Sequence, residues 1–186
     1  MTVGVLALQG DFAEHIAVLQ TLHTDAREVR TPADLSACDR LIIPGGESTV
    51  ISKLLRTSGL WGPLLTRAKG GDFPIYGTCA GAILLASNLT GKNPPETLKL
   101  MDITVDRNAY GTQLQSFDVT LEIERIGKLL VSFIRAPKIT CIGANVEVLA
   151  THAGDPVLVR EGKLLAGTFH PEVRGQSEIH KLFLSF

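Results

Sequence analysis

A doubly wound α/β fold, a three-layer sandwich around a mostly parallel central sheet, is what three observations predict. Over about the first ninety residues, short apolar runs alternate with segments of helical period. Those runs are continuously apolar, as strands covered on both faces must be. Three of them end in tight loops, Gln9-Gly10, Gly45-Gly46-Glu47 and Thr78-Cys79-Ala80. Such a sheet gathers those loops at the carboxyl ends of its strands, where ligands bind.

Taken in order, residues 3–8 form the first buried strand, and Gln9-Gly10-Asp11 ends it. Asp11 is the expected N-cap of a helix running from Phe12 to about Leu22, with Phe12, Ile16, Leu19 and Leu22 as its core stripe. Residues 26–29 and 41–43 are the second and third strands, and the third runs into Pro44-Gly45-Gly46-Glu47-Ser48. Helical pattern follows over 49–55 and 64–68, then a strand over 73–76 and a helix entered at Ala82. Beyond the polar 90–96 loop the pattern turns β-rich, with short strands over 103–105, 116–121, 130–134, 146–150, 157–159 and 164–169. Residues 178–186 close the chain as a helix.

Hydrophobic residues make up 45% of the chain, enough for a full core, and one domain over residues 1–186 is expected. Eighteen basic and nineteen acidic side chains leave a net charge of −1, which argues against a general polyanion binder. Cys38, Cys79 and Cys141 are odd in number and widely spaced, which disfavours a disulfide framework or a Cys-x-x-Cys metal site. Cys38 and Cys141 read as strand-associated core residues, and no metal site is expected. No basic leader precedes the first apolar stretch, and no apolar run approaches the ~20 residues of a membrane span. The expected location is the cytoplasm.

Gly77-Thr78-Cys79-Ala80-Gly81 carries the chemistry. A nucleophile flanked by small residues at a strand-to-helix turn is an elbow that lifts the sulfur clear of the sheet. The Ala80 N–H then sits at a helix start, where it can meet a developing oxyanion. A buried cysteine beside packing glycines is the plain alternative, and the pentapeptide alone leaves the two about even. A thiol needs a base, and five histidines are available. His15 and His23 sit among charged neighbours on the first helix and read as solvated, His152 ends a strand, and His180 lies in the terminal helix. His170 stands at a strand end before Pro171. Extended backbone there would point Glu172 the same way, beside the ring. A carboxylate in that place fixes the imidazole tautomer and stabilises its positive charge. Gly45-Gly46 leaves bare N–H groups toward the cleft as the second source of an oxyanion hole, at Gly46.

Together these residues resemble the class I, or triad, glutamine amidotransferases, and within them the glutaminases of pyridoxal 5′-phosphate synthesis. The matching blocks span nearly the whole chain: residues 6–12 with Glu14-His15, 44–49, 77–81, 106–111, 133–137 and 169–172. The 98–102 segment lacks glycines common in the family, Thr112 stands where Arg is common, and the last helix is short. The resemblance implies a flavodoxin-like sheet and a catalytic triad of Cys79, His170 and Glu172. It implies an oxyanion hole at Gly46 and Ala80, and glutamine recognition by Gly46, Glu47, Ser48, Arg107, Ile134 and Arg135. It also implies a (β/α)8-barrel pyridoxal 5′-phosphate synthase subunit as the partner that takes the ammonia, and no cofactor on this chain. Gln9 and Gly10 read as a loop coupling the partner to the site, where Gly10→Val would spare the basal rate and remove the gain on docking. The competing readings are a glutaminase subunit of another amidotransferase, a docking subunit with a vestigial site, and a cysteine-elbow protein of the DJ-1/PfpI type. That last class usually places His directly after the Cys, where this chain has Ala80.

Overall fold

The computed structural model describes residues 1–107 and 116–186. The expected Asp106-to-Gly111 block therefore lies outside the described residues beyond Arg107. Among the described residues the chain starts with β1 (Thr2–Leu6), α1 (Phe12–Thr21), β2 (Asp25–Val29), α2 (Pro32–Ser36) and β3 (Arg40–Ile43). Next come α3 (Ser48–Thr57), α4 (Trp61–Lys69), β4 (Ile75–Thr78), α5 (Ala80–Leu85), β5 (Ala86–Thr90) and β6 (Met101–Asp106). The second half holds β7 (Phe117–Ile123), β8 (Gly127–Phe133), β9 (Lys138–Ile142), β10 (Glu147–His152), β11 (Asp155–Glu161) and β12 (Leu164–Gly167). A 3-10 turn (Glu172–Arg174) and α6 (Glu178–Leu184) end it.

Seven strands form one sheet in the order β10-β11-β12-β4-β3-β1-β2. The five from β12 to β2 run parallel, and β11 and β10 are antiparallel additions. Side-chain alternation along the parallel strands splits the core into two layers. Leu6, Leu41, Ile43, Ile75 and Ala166 pack with Ile51, Leu55 and Leu64 of α3 and α4 on one face. Val3, Val5, Ile42, Tyr76 and Leu165 pack with Leu19 of α1 and Ile179 and Phe183 of α6 on the other. Each Val, Leu, Ile or Phe among them stabilises the fold by about 1.5–3 kcal/mol through burial. That is why the strands read as unbroken apolar runs.

β1 pairs with β2 on one side and β3 on the other, so the winding reverses between β1 and β3. A crevice opens there at the carboxyl ends of the strands. Four adjacent strands, β1, β3, β4 and β12, deliver to it the 9–11 loop, the 45–47 loop, Cys79 and His170.

Several expectations need correction. β1 ends at Leu6 and β12 at Gly167, each two residues short of the apolar run. Strands β5 and β9 were not expected; they edge a three-stranded sheet around β6, exposed along one face, so neither shows an apolar period. Cys38 is buried but lies before β3, and Cys141, on β9, is exposed. His23 is exposed but lies past the end of α1, in the left-handed region at φ 53°.

Candidate active site

The elbow between β4 and α5 forces Cys79 to φ 48° and ψ −99°. A non-glycine residue there costs of order 1–3 kcal/mol and persists only where its surroundings impose it. The surroundings are tight. A Cβ at Gly77 would come to 2.5 Å from the Gly81 carbonyl carbon, and one at Gly81 to 2.1 Å from the Ile43 carbonyl oxygen. The Cys79 N–H donates to the Gly167 carbonyl at 2.8 Å, tying the elbow to the strand that leads to the histidine.

Beyond β12 the His170 N–H donates to the Ser132 carbonyl at 2.8 Å, bridging it to β8. Ser132 Oγ donates to Asp118 at 2.7 Å and accepts from Arg174 Nε at 2.8 Å, and Arg174 also pairs with Asp118. This cluster clamps the turn after His170 onto the β7–β8 hairpin. Glu172 Oε1 accepts from His170 Nδ1 at 2.7 Å, with both residues buried. The pair forms by a different route from the one expected. Pro171 is helical (φ −70°, ψ −31°) and Glu172 opens a 3-10 turn, so a bend, and not strand alternation, brings the carboxylate under the ring.

Burial disfavours the charged imidazole, but interactions with Asp11, Cys79 and Glu172 outweigh it and hold His170 well above its usual range. Burial likewise pushes the Glu172 carboxyl up, and the imidazolium at 2.7 Å opposes that. His170 and Glu172 are thus hydrogen-bonded to each other, and Cys79 is among the groups that raise the imidazole.

Asp11 was expected to cap α1. Its side chain makes no cap bond; its Oδ2 lies 3.2 Å from His170 Nδ1, a second carboxylate on the same nitrogen. The donor atoms of Asp11, His170 and Glu172 fall within 4.8 Å of one another, a set that could hold a metal ion. Any metal would have to displace the Nδ1 proton that Glu172 accepts. His15, read as solvated, is fully buried behind Glu172. A signal was available: position 15 lies three residues after Phe12 and four before Leu19, on the apolar stripe.

The glycine loop meets the β1 loop edge to edge. Gln9 Oε1 accepts from the Glu47 N–H at 2.7 Å, and the Asp11 N–H donates to the Gly45 carbonyl at 3.1 Å. A Cβ on Gly10 would lie 1.7 Å from the Gly45 carbonyl oxygen, so Gly10→Val reshapes the glycine loop instead of sparing it. Gly46 sits at φ 153°, and Ala80 is the first residue of α5. Glu47 caps α3, its carboxylate accepting from the Thr49 and Val50 N–H groups at 3.1 and 2.8 Å; Ser48 is buried at the helix start. The Arg107 guanidinium lies 3.6 Å from Glu47 and donates to the Asn93 carbonyl at 3.4 Å. Ile134 is half-buried and Arg135 exposed at φ 44°, just past Phe133 at the end of β8.

Solved structures share this arrangement of elements. A crystal structure of a glutamine amidotransferase superposes with a TM-score of 0.94 at 46% identity, covering 98% of this chain and 97% of that one. PurLQS from Thermotoga maritima shares the fold at a TM-score of 0.70 and 15% identity, covering 99% of this chain and 95% of that one. The fold is that of the class I glutamine amidotransferases. More narrowly, the chain belongs to the SNO glutamine amidotransferase family, whose model matches residues 5–186. Similar relatives include proteins named pyridoxal 5′-phosphate synthase subunit PdxT. The one from Pseudothermotoga lettingae is 52% identical over 99% of this chain and 94% of its own length. The one from Chloroflexus aurantiacus is 50% identical over 99% of each. None of the described helices is long and apolar enough to cross a membrane.

Proposed function

We propose that this chain, as a single domain, hydrolyses L-glutamine to L-glutamate and ammonia and passes the ammonia to a synthase subunit making pyridoxal 5′-phosphate. The observation that carries the reading is the buried His170–Glu172 hydrogen bond, with the imidazole raised by Cys79 at a strained elbow. Membership of a glutamine amidotransferase family supports the substrate, and the names of the relatives support the partner.

Cys79, its thiol proton transferred to His170, attacks the side-chain amide carbon of glutamine through Sγ. The Gly46 and Ala80 N–H groups hold the tetrahedral oxyanion, each contributing about 3 kcal/mol. The C–N bond breaks as His170 gives its proton to departing ammonia, leaving a γ-glutamyl thioester. Water then attacks the thioester, His170 takes its proton, and glutamate leaves with the thiol restored. Glu172 stays ionised throughout and stabilises the imidazolium. Ammonia released into neutral water is protonated and no longer nucleophilic, which favours a partner that captures it directly. Arg107 and Glu47, opposite charges 3.6 Å apart, suit the carboxylate and ammonium on the α-carbon of glutamine. Gly46, Ser48, Ile134 and Arg135 complete that subsite in this reading.

The test is the rate of glutamine hydrolysis as a pyridoxal 5′-phosphate synthase barrel subunit is titrated in. The β1 loop is joined to Glu47 through Gln9, so docking that shifts the loop would reset the oxyanion donors. A tenfold gain needs only about 1.4 kcal/mol of transition-state stabilisation. Absence of hydrolysis at any partner concentration would overturn the function, and a rate flat through saturation would overturn the coupling. Arg107→Ala is expected to raise KM for glutamine by about tenfold to a hundredfold, the worth of a charged hydrogen bond. Alkylation of Cys79 should proceed at the wild-type rate in that variant. An unchanged KM would return Arg107 to a surface pair with Glu47.

A further inference from the structure

We infer that His15, buried behind the triad, is a positioning residue for the glutaminase reaction, its Nε2–H holding the elbow at Thr78 and the triad carboxylate of Glu172 in register. The inference rests on the glutaminase reading above. His15 Nε2 lies 3.1 Å from Thr78 Oγ1 and 3.7 Å from Glu172 Oε1, the same oxygen that His170 Nδ1 contacts. Thr78 is the residue before the nucleophile. One imidazole nitrogen therefore faces both the residue before Cys79 and the carboxylate held by His170.

The proton arrangement follows from counting donors. His15 Nδ1 lies 2.9 Å from His180 Nε2, so one of the two rings donates to the other. If His15 donated, the proton of neutral His180 would sit on Nδ1. The Gln176 backbone lies near that ring, but Nδ1 forms no hydrogen bond of acceptable geometry. A buried N–H would be left unpaired, at a cost of about 1–3 kcal/mol. If His180 Nε2–H donates, every ring N–H is paired, and the His15 proton stands on Nε2 toward Thr78 and Glu172. A proton there also suits a carboxylate better than a lone pair would.

The surroundings keep His15 neutral. Burial dominates, the neighbouring His180 and then His170 add to it, and the ring stays uncharged well below its ordinary range. From β4, Tyr76 meets it edge-on at 6.1 Å between ring centroids. From α6 comes His180, from the turn after β12 come His170 and Glu172, and from the start of its own helix Asp11, whose carbonyl accepts the His15 N–H at 3.4 Å. A neutral ring with its N–H directed at Thr78, 3.7 Å from the carboxylate, orients Glu172 without neutralising it and leaves its negative charge available to His170.

The test compares two amides of different reach. Gln at position 15 carries an N–H at about the reach of Nε2, whereas Asn ends near Nδ1 and falls short of Thr78 and Glu172. Measured in the complex with its synthase partner, His15→Asn is expected to lower kcat on the order of tenfold, with KM within about twofold, as loss of a second-layer partner does. His15→Gln should keep kcat within a few-fold. The pH profile of Cys79 alkylation, which needs no glutamine turnover, should move in His15→Asn and not in His15→Gln. Equal kcat for the two, or an unmoved profile in His15→Asn, overturns the inference. Should both variants fail to fold, Thr78→Val against Thr78→Ser decides it, because only Val removes the hydroxyl that Nε2 meets. Equal kcat in that pair overturns it too. An inactive wild-type complex would instead overturn the glutaminase reading.

Discussion

Replacing Cys79 by Ser is expected to abolish glutamine hydrolysis while leaving the complex able to make pyridoxal 5′-phosphate from added ammonium. Removing the nucleophile of a triad costs on the order of 10⁶-fold in kcat. The fold has no reason to change. Ser keeps the Cβ and tolerates the φ 48° backbone as Cys does, and the Cys79 N–H bond to Gly167 does not involve the side chain. The synthase chemistry, in our reading, belongs to another chain, so supplying ammonium bypasses the lost step. Two assays on one purified complex suffice: glutamate release from glutamine, and product formation from ammonium. Hydrolysis persisting in the variant would place the nucleophile elsewhere. Loss of both activities would mean that this subunit does more than furnish ammonia.

Much of the sheet was legible because its parallel strands are buried on both faces, and burial writes itself into sequence as unbroken apolar runs. The same logic hid the rest. Strands β5 and β9 edge a small sheet and bury little, with Thr140, Cys141 and Ile142 all exposed. Helix α2 spans only five residues, too short for a period, although Thr31-Pro32 and Asp34 form a capping box that marks its start. At the site, the elbow and the His170–Glu172 pair were legible from spacing and residue type. The bend that joins the pair was not, because two residues carry no period. Asp11 and His15 were missed for opposite reasons. Asp11 fits a helix cap so well by residue type that its contact with His170, which depends on β1 lying three strands from β12, had no local signal. His15 carried the periodic signal of a buried position and was assigned by its charged neighbours instead.

Glu172→Gln tests the division of labour within the proposed triad. Gln still reaches His170 Nδ1, so the ring keeps a partner, but an uncharged amide does little for the imidazolium that forms as Cys79 loses its proton. The expected result is a fall in kcat on the order of 10²–10⁴-fold, with KM for glutamine little changed. Stability should not fall with it. Burying an amide costs less than burying a carboxylate, and one oxygen of Glu172, Oε2, is buried without a hydrogen bond. The melting temperature of Glu172→Gln is therefore expected to match or exceed that of the wild type. The pH dependence has a definite sign. Glu172 is one of three partners, with Asp11 and Cys79, that raise His170; removing its charge lowers that raised pKa, so the variant loses its imidazolium at lower pH. NMR titration of His170 reads this directly, and the transition should move toward neutrality. A variant with wild-type kcat and a raised KM would make Glu172 a substrate ligand. An unmoved titration would show that Asp11, 3.2 Å from the same nitrogen, together with Cys79, and not Glu172, holds the charge on His170.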